Sequence, residues 1–295
     1  MNLPDNNSEK DKYLKKPQWL RKKLPSVNEY SYLKNLLNKN NLHTICESGK
    51  CPNIGECWEN RTATFMILGD ICTRSCSFCA VKTGKPMPPD IEEPSKIAEV
   101  IKQMQLKHCV ITSVDRDDLD DGGAAIWAQT ITLIKKESPN TTIETLIPDF
   151  KGNTNNINTV ILAKPDIISH NLETVERLTK EVRIQAKYKR SLKVLKFISD
   201  SGVTAKSGIM LGLGETEEEI YSTFDDLLSI GCKIITIGQY LQPGKNNLPV
   251  KKYILPSDFE KYKQVALSKG FKFVESGPLV RSSYHAEKQI HITTN

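Results

Sequence analysis

Six of the eight cysteines, Cys46, Cys51, Cys57, Cys72, Cys76 and Cys79, fall within 34 residues of a 295-residue chain. They form two trios, C-x4-C-x5-C in CESGKCPNIGECW and C-x3-C-x2-C in CTRSCSFCAV. The polar, lysine-bearing start MNLPDNNSEKDKYLKK lacks the apolar stretch of a secretory signal. That predicts a cytoplasmic protein with reduced thiols and turns the reading from disulfides toward metal or cluster binding. Zinc sites usually take four ligands from paired Cys or His. Neither trio has a fourth Cys, and none of His43, His108, His170, His285 and His291 stands at HxxxH or HExxH spacing. Three thiolates in a short loop instead fit a four-iron cluster whose remaining iron is open to a substrate or cofactor, since such clusters otherwise take four thiolates. The alternative is a structural zinc or cluster site completed by Cys109 or Cys232. Both of those lie in apolar stretches, KHCVITSV and IGCKIITIG, where a free Cys behaves as a small hydrophobe.

The elements that would position these thiols alternate along the chain. Apolar or β-branched runs at 64–68, 109–113, 142–146, 166–170, 205–210 and 234–238 are each followed by a helical pattern, at 95–105, 123–136, 155–163, 192–201, 217–230 and 257–268. Such alternation builds a parallel sheet with right-handed crossovers. The 175 residues from 64 to 238 divide into six units of about 29, near the ~30 of a βαβ unit. The expected fold is therefore α/β, a partial (β/α)6 TIM-type barrel over 64–274. N- and C-terminal extensions, 1–63 and 275–295, would cover its mouth, the first carrying the upstream trio. In parallel barrels chemistry sits on the loops after the strands. The second trio, Ser113 to Asp118, His170 to Glu173 and Leu211 to Glu215 all fall on such loops.

With 38% apolar and 26% charged residues, the composition excludes wholesale disorder and collagen-like chains, and no apolar run approaches the ~18 residues of a membrane helix. Four of the six net positive charges sit in residues 1–25, where seven basic side chains face three acidic ones. This arm either contacts an acidic partner or is a solvated tail.

An aromatic, Phe78, precedes the last Cys of CTRSCSFC, a motif that resembles the radical S-adenosylmethionine (SAM) enzymes. Together with the upstream trio, RSSYHA (281–286), KPQWLRKKLP (16–25), RDDLDDGGA (116–124), IPDF (147–150), HNLETV (170–175) and KSGIMLGLGE (206–215), the chain is similar to the lipoyl synthase family over nearly its whole length. The resemblance implies that Cys72, Cys76 and Cys79 hold a [4Fe-4S] cluster whose open iron is chelated by the amino and carboxylate groups of SAM. One electron into that cluster cleaves SAM to methionine and a 5′-deoxyadenosyl radical. Gly208 to Glu215 fits the pattern G-x-I-x-G-x-x-E with Met210 in the Ile place, which puts Gly212 and Glu215 near the adenosine; a plain glycine-rich turn is the other reading. Asn171 and Glu173 suit the ribose hydroxyls and Arg183 the SAM carboxylate, with ordinary surface ion pairing as the alternative for the last two.

The same resemblance implies a second [4Fe-4S] cluster on Cys46, Cys51 and Cys57, completed by Ser283. A hard alkoxide is a poor match for cluster iron, so this iron is the easiest to lose, which suits a cluster broken down to supply sulfur. Arg281 would orient the serine segment, although a polar C-terminal turn would also account for it. The implied activity is that of a sulfurtransferase that inserts two sulfur atoms, at C6 and C8, into an octanoyl chain carried on a protein lysine, consuming two SAM. Implied partners are octanoylated lipoyl-carrier proteins (2-oxoacid dehydrogenase E2 domains and the glycine-cleavage H protein), an electron donor such as ferredoxin or flavodoxin, and an iron–sulfur carrier that rebuilds the sacrificed cluster. Biotin synthase also inserts sulfur through SAM radicals but is not expected to carry both the upstream trio and RSSYHA. A non-catalytic iron–sulfur carrier leaves the six-unit barrel unexplained, and a nucleic-acid-directed methylthiotransferase needs a basic domain for which the chain has no room. No nucleic acid partner is therefore expected. The carboxylates of residues 115–121 read mostly as a solvated loop, some lining the entrance.

Overall fold

The computed structural model describes residues 14–21, 27–59 and 64–292, apart from the side chains of 27–29 and 291–292. Most of the basic arm lies outside them. Seven strands form one parallel sheet in chain order: β1 (Thr64–Ile67), β2 (His108–Ser113), β3 (Thr142–Leu146), β4 (Ile167–Ser169), β5 (Thr204–Leu211), β6 (Ile234–Gln239) and β7 (Phe273–Gly277). Between them run α1 (Glu93–Met104), α2 (Ala124–Glu137), α3 (Thr154–Leu162), α4 (Tyr188–Asp200), α5 (Glu217–Ser229) and α6 (Pro256–Lys269). All six expected strand–helix units are present. The seventh strand was not anticipated, and it straddles the expected boundary at 274/275. Its alternation is cut short by Glu275 and Ser276, and its pairing comes from β6 rather than from its own pattern. Upstream, a helix at Val27–Lys39 precedes a two-residue strand, His43–Thr44, which pairs antiparallel with β1. The sheet does not close, so a seam remains between that edge strand and β7.

Strand periodicity sends alternate residues to opposite faces. Cys109, Ile111, Ile143, Ile168, Ala205, Ile209, Ile235, Ile237 and Val274 join the apolar core shared with the helices, where Trp127, Ile131, Leu195 and Phe224 are fully covered. Cys109 is one of these, and Cys232 is buried beside them with its Sγ 3.4 Å from the Ile234 carbonyl. Neither thiol completes a trio. The opposite face is mixed: His108, Thr112, Glu144, Ser169, Lys206 and Thr236 fall on it by register among Val110, Ile167 and Ile234. There the fully buried Lys206 Nζ lies 2.8 Å from Glu144 Oε1, to which Ser169 Oγ also donates at 2.7 Å. A buried pair needs such added hydrogen bonds to offset desolvation.

His170, just past β4, is locked as a structural residue. Its Nδ1 lies 2.9 Å from the Ile147 carbonyl and its Nε2 2.9 Å from Ser191 Oγ. Burial, assisted by the Arg183 charge, pushes its pKa from 6.5 down to about 4. The folded state thus favours neutral imidazole, so this contribution is complete above pH 6.5 and is lost as pH falls from there toward 4. We expect the denaturation midpoint to drop across that window by about 3 kcal/mol of stability. His170→Gln, which removes the titrating ring, should flatten that part of the profile; a curve unchanged by the substitution would refute the assignment.

Candidate functional site

The loop carrying Cys72, Cys76 and Cys79 leaves the C-terminal end of β1 and is clamped from beneath by Arg74. This side chain is 4% exposed and pairs with Asp115 (3.2 Å), Asp117 (2.7 Å) and Asp149 (2.8 Å), and Asp149 is also held by Arg190 (2.7 Å). Burial disfavours the guanidinium charge, but the three carboxylates outweigh it and keep Arg74 protonated. The carboxylates of 115–121 are thus not simply a solvated loop. Asp115 and Asp117 fasten the cysteine loop to the end of β2, Asp149 of IPDF fastens it to the end of β3, and Asp121 caps α2 through the Gly123 and Ala125 amides. From the far side, Asn247 Nδ2 donates to the carbonyls of Ser77 (3.2 Å) and Cys79 (2.9 Å).

Backbone amides point at the sulfurs. Cys72 Sγ accepts from Arg74 (3.4 Å) and Asp115 (3.3 Å), and Cys79 Sγ accepts from Val81 (3.4 Å). Burial, then the Asp115 charge and to a lesser extent the neighbouring thiols, pushes the Cys72 thiol up to about 11 and, against the Arg183 charge, the Cys76 thiol up to about 12. The bare loop therefore carries protons that metal loading must displace. Among the described residues no three His, Cys, Asp or Glu side chains converge as ligands of a single ion would. The amide donors at Cys72 and Cys79 would stabilise thiolate charge once a metal group is bound.

The loops after β4 and β5 build a cradle beside this trio. Asn171 is buried. Its Nδ2 donates to Glu173 Oε1 at 3.0 Å, and its Oδ1 has no partner. Glu173 sits at φ 67° and bridges to β5, its amide donating to Gly208 O (2.9 Å) and its carbonyl accepting from Met210 (2.8 Å). Burial raises its carboxyl pKa against the opposing charges of Arg183 and Arg281. Arg183 Nη1 donates to Leu172 O and Ser191 Oγ, both at 3.2 Å, and no carboxylate among the described residues lies within ion-pair distance. Its charge reaches Cys76. A Cβ on Gly208 would stand 2.5 Å from Thr236 Oγ1 and 3.0 Å from Asn171 Oδ1. Gly212, at φ 99°, has no room for one against Gln239 and Lys252. An orphaned buried oxygen and a guanidinium without a carboxylate partner suit the ribose and carboxylate of SAM, whereas both glycines are required by packing, since the space a side chain would take is already filled by Asn171, Thr236, Gln239 and Lys252. Glu215 has a different job: its carboxylate accepts from the Gly212 (2.5 Å) and Leu213 (2.9 Å) amides and shapes the turn from within.

Cys46 and Cys57 lie on two short helical segments, Ile45–Ser48 and Ile54–Glu59, beside the seam, and Cys51 lies between them. Burial, then the charge of Cys51, pushes the Cys46 thiol up to about 12, and the Thr64 amide donates to it. The hydroxyl of the same Thr64 donates to Ser283 Oγ at 2.8 Å. Two further bonds seat the C-terminal segment on this trio: Asn53 Nδ2 to Leu279 O (2.6 Å) and Tyr284 OH to Glu56 Oε1 (3.0 Å). Val280 packs so tightly on β6 that Gly238 there admits no side chain. Arg281, next in the chain, lies within electrostatic reach of both Cys51 of the trio and Glu173 of the cradle. The N- and C-terminal extensions therefore meet each other at this trio. They fill the seam, and the closing turn Ala286–Ile292 reaches β2 with Ala286 and Gln289 buried. The His285 ring lies 4.0 Å from that of Tyr284, tilted at 51°, and its Nδ1 stands 3.4 Å from Glu287 Oε1.

A thiol trio fastened to the C-terminal ends of parallel strands, beside a cradle of buried polar side chains, defines the radical SAM class. The model of the radical SAM superfamily matches residues 66–227, and that of the N-terminal domain of lipoyl synthase matches residues 3–51. A lipoyl synthase of Christiangramia forsetii is 59% identical over 277 residues, covering 94% of both chains. A mitochondrial lipoyl synthase of Nematostella vectensis is 60% identical over 277 residues, covering 94% of this chain and 95% of its own. Among solved structures, methylornithine synthase (TM-score 0.51, 14% identity, 71% of this chain and 70% of that one) shares the fold. So does Streptococcus suis SuiB bound to S-adenosylmethionine (TM-score 0.55, 14% identity, 85% and 56%). The chain belongs to the lipoyl synthase family of the radical SAM superfamily.

Proposed function

We propose that Cys72, Cys76 and Cys79 hold the SAM-binding [4Fe-4S] cluster, and that Cys46, Cys51, Cys57 and Ser283 hold a second one. The chain thereby acts as a sulfurtransferase that places two sulfur atoms, at C6 and C8, on the octanoyl group of a lipoyl-carrier protein such as an E2 domain or the glycine-cleavage H protein. The observation that carries this reading is the junction at Thr64, whose amide serves Cys46 while its hydroxyl donates to Ser283 Oγ at 2.8 Å, with Arg281 in electrostatic reach of both Cys51 and Glu173. Bound at these sites, the groups would supply a carbon-centred radical to remove hydrogen and sulfide to replace it.

The protein's own part is placement and exclusion of water. Asn171, Glu173 and Arg183 orient SAM, Gly208 and Gly212 let the strand end pack against Thr236, Gln239 and Lys252 beside it, and Glu215 fixes the turn. Hydrogen abstraction by a radical needs no side-chain acid or base. Reduction by a ferredoxin or flavodoxin, renewal of the second cluster by an iron–sulfur carrier and a cytoplasmic setting complete the proposal; among the described residues no helix is long and apolar enough to cross a membrane. Anaerobic incubation of reconstituted protein with an octanoyl-lysine peptide, SAM and dithionite should yield a peptide two sulfur atoms heavier by mass spectrometry. SAM cleavage without sulfur gain, or sulfur insertion into dethiobiotin instead, would overturn the substrate assignment.

A further inference from the structure

The segment that follows β6, residues 240–252, reaches the flanks of both thiol trios and the cradle. Pro243 O accepts from Lys50 Nζ at 3.3 Å, next to Cys51, and the Lys251 amide donates to Gly212 O at 2.8 Å. Between these anchors Asn247 directs both hydrogens of its amide to the cysteine loop, Nδ2 donating to Ser77 O at 3.2 Å and to Cys79 O at 2.9 Å. Ser77 O takes a second bond, from the Leu248 amide at 3.1 Å. The donor is itself held in place, by Gln242 Nε2 on the Asn247 carbonyl (2.8 Å), by the Asn247 amide on Gly244 O (3.1 Å) and by Tyr240 OH on Leu248 O (2.7 Å). In a trans peptide the carbonyl and the following N–H point in opposite directions. No peptide bond among the described residues is cis. Holding Cys79 O on Asn247 therefore turns the Ala80 N–H the other way, and that amide, like the Val81 amide at 3.4 Å, bonds the Cys79 sulfur. The side chain thus sets amide dipoles at one of the three sulfurs through the backbone between them.

We infer that Asn247 is a positioning residue whose amide, by gripping the Ser77 and Cys79 carbonyls, aims backbone N–H groups at the Cys79 sulfur and so makes the group held there easier to reduce. The inference rests on the proposed cluster at Cys72, Cys76 and Cys79 and adds which side chain tunes it. Hydrogen bonds to the sulfurs are among the factors that set a cluster's reduction potential. The direction follows from charge: reduction adds one negative charge, and the positive end of an N–H dipole at sulfur favours the more negative state. Losing the grip frees the 79–80 peptide to rotate, weakens those bonds and lowers the potential. Asn247→Asp should act the same way, because carboxylate oxygens only accept and so repel the carbonyls that the amide attracts.

The test uses reconstituted holoenzyme carrying Asn247→Leu, which keeps the size of the side chain and removes both donors without adding charge, beside Asn247→Asp. A redox titration followed by electron paramagnetic resonance is read on the signal that changes when SAM is added. At a fixed potential the ratio of reduced to oxidised cluster should fall about tenfold in Asn247→Leu, a shift of about 59 mV for one electron. In Asn247→Asp it should fall at least as far. Amide hydrogen exchange on the metal-free protein gives a second measurement that holds for a variant that loads poorly. The Ala80 and Val81 amides should exchange about tenfold faster, the worth of one net hydrogen bond. The Arg74 and Asp115 amides, which bond the Cys72 sulfur, should keep their wild-type rates. An unchanged potential in a variant that loads about eight irons per chain would overturn the inference, as would wild-type exchange at Ala80 and Val81. Faster exchange spread equally over the Cys72 amides would overturn it too, reducing Asn247 to general loop packing. Failure of the underlying reading is separate, because it appears as wild-type protein in which no cluster signal responds to SAM.

Discussion

Cys72→Ala is expected to abolish 5′-deoxyadenosine formation to the limit of detection, while iron after anaerobic reconstitution falls from about eight to about four per chain. The thiol is one of three that the Arg74 clamp presents together, and no fourth Cys or His among the described residues stands near enough to replace it. Its sulfur also takes two backbone amides, from Arg74 and Asp115, that would compensate cluster charge. Alanine leaves those amides pointing at nothing but leaves the ion network that holds the loop, so circular dichroism and the denaturation midpoint should stay close to wild type. A variant that kept its fold and still cleaved SAM would disprove the assignment of this trio.

What could be read directly from the chain is what is local. Cysteine spacing, the six strand–helix units and the loop positions of Asn171, Glu173 and Gly212 need only neighbours in sequence, and the structure places each where its pattern predicts. The Arg74 network could not be read that way, because its partners Asp115, Asp117 and Asp149 come from two other loops 41 to 75 residues away in the chain. The acids therefore look solvated in sequence and are clamped in space. Glu215 was legible as a functional residue but not in its role, since only the fold shows its carboxylate turned onto its own loop's amides. Strand β7 was missed because its register is dictated by β6, and with it the seam that brings Cys46 and Ser283 to opposite sides of Thr64. Within that seam, spacing predicts the ligand types, whereas their meeting depends on pairings more than two hundred residues apart in sequence.

Ser283→Cys should separate the two trios' duties more cleanly than any deletion. If Ser283 ligates the second cluster, a thiolate in its place is a softer and better partner for iron, so iron content should stay near wild type and the cluster should resist loss. SAM cleavage, which depends on Cys72, Cys76 and Cys79, should be unchanged. Sulfur insertion requires that cluster to come apart, and we expect it to slow by about 100-fold or more, the upper end of what even indirect ligand changes achieve. Cys51→Ala should likewise leave SAM cleavage intact yet give no thiolated product, with irons reduced to about four per chain. The two variants fail by opposite routes, one by holding its sulfur and the other by having none. Wild-type thiolation by Ser283→Cys would show that the hydroxyl near Thr64 is a packing contact only, and loss of SAM cleavage alone in Cys51→Ala would reverse the roles given to the trios.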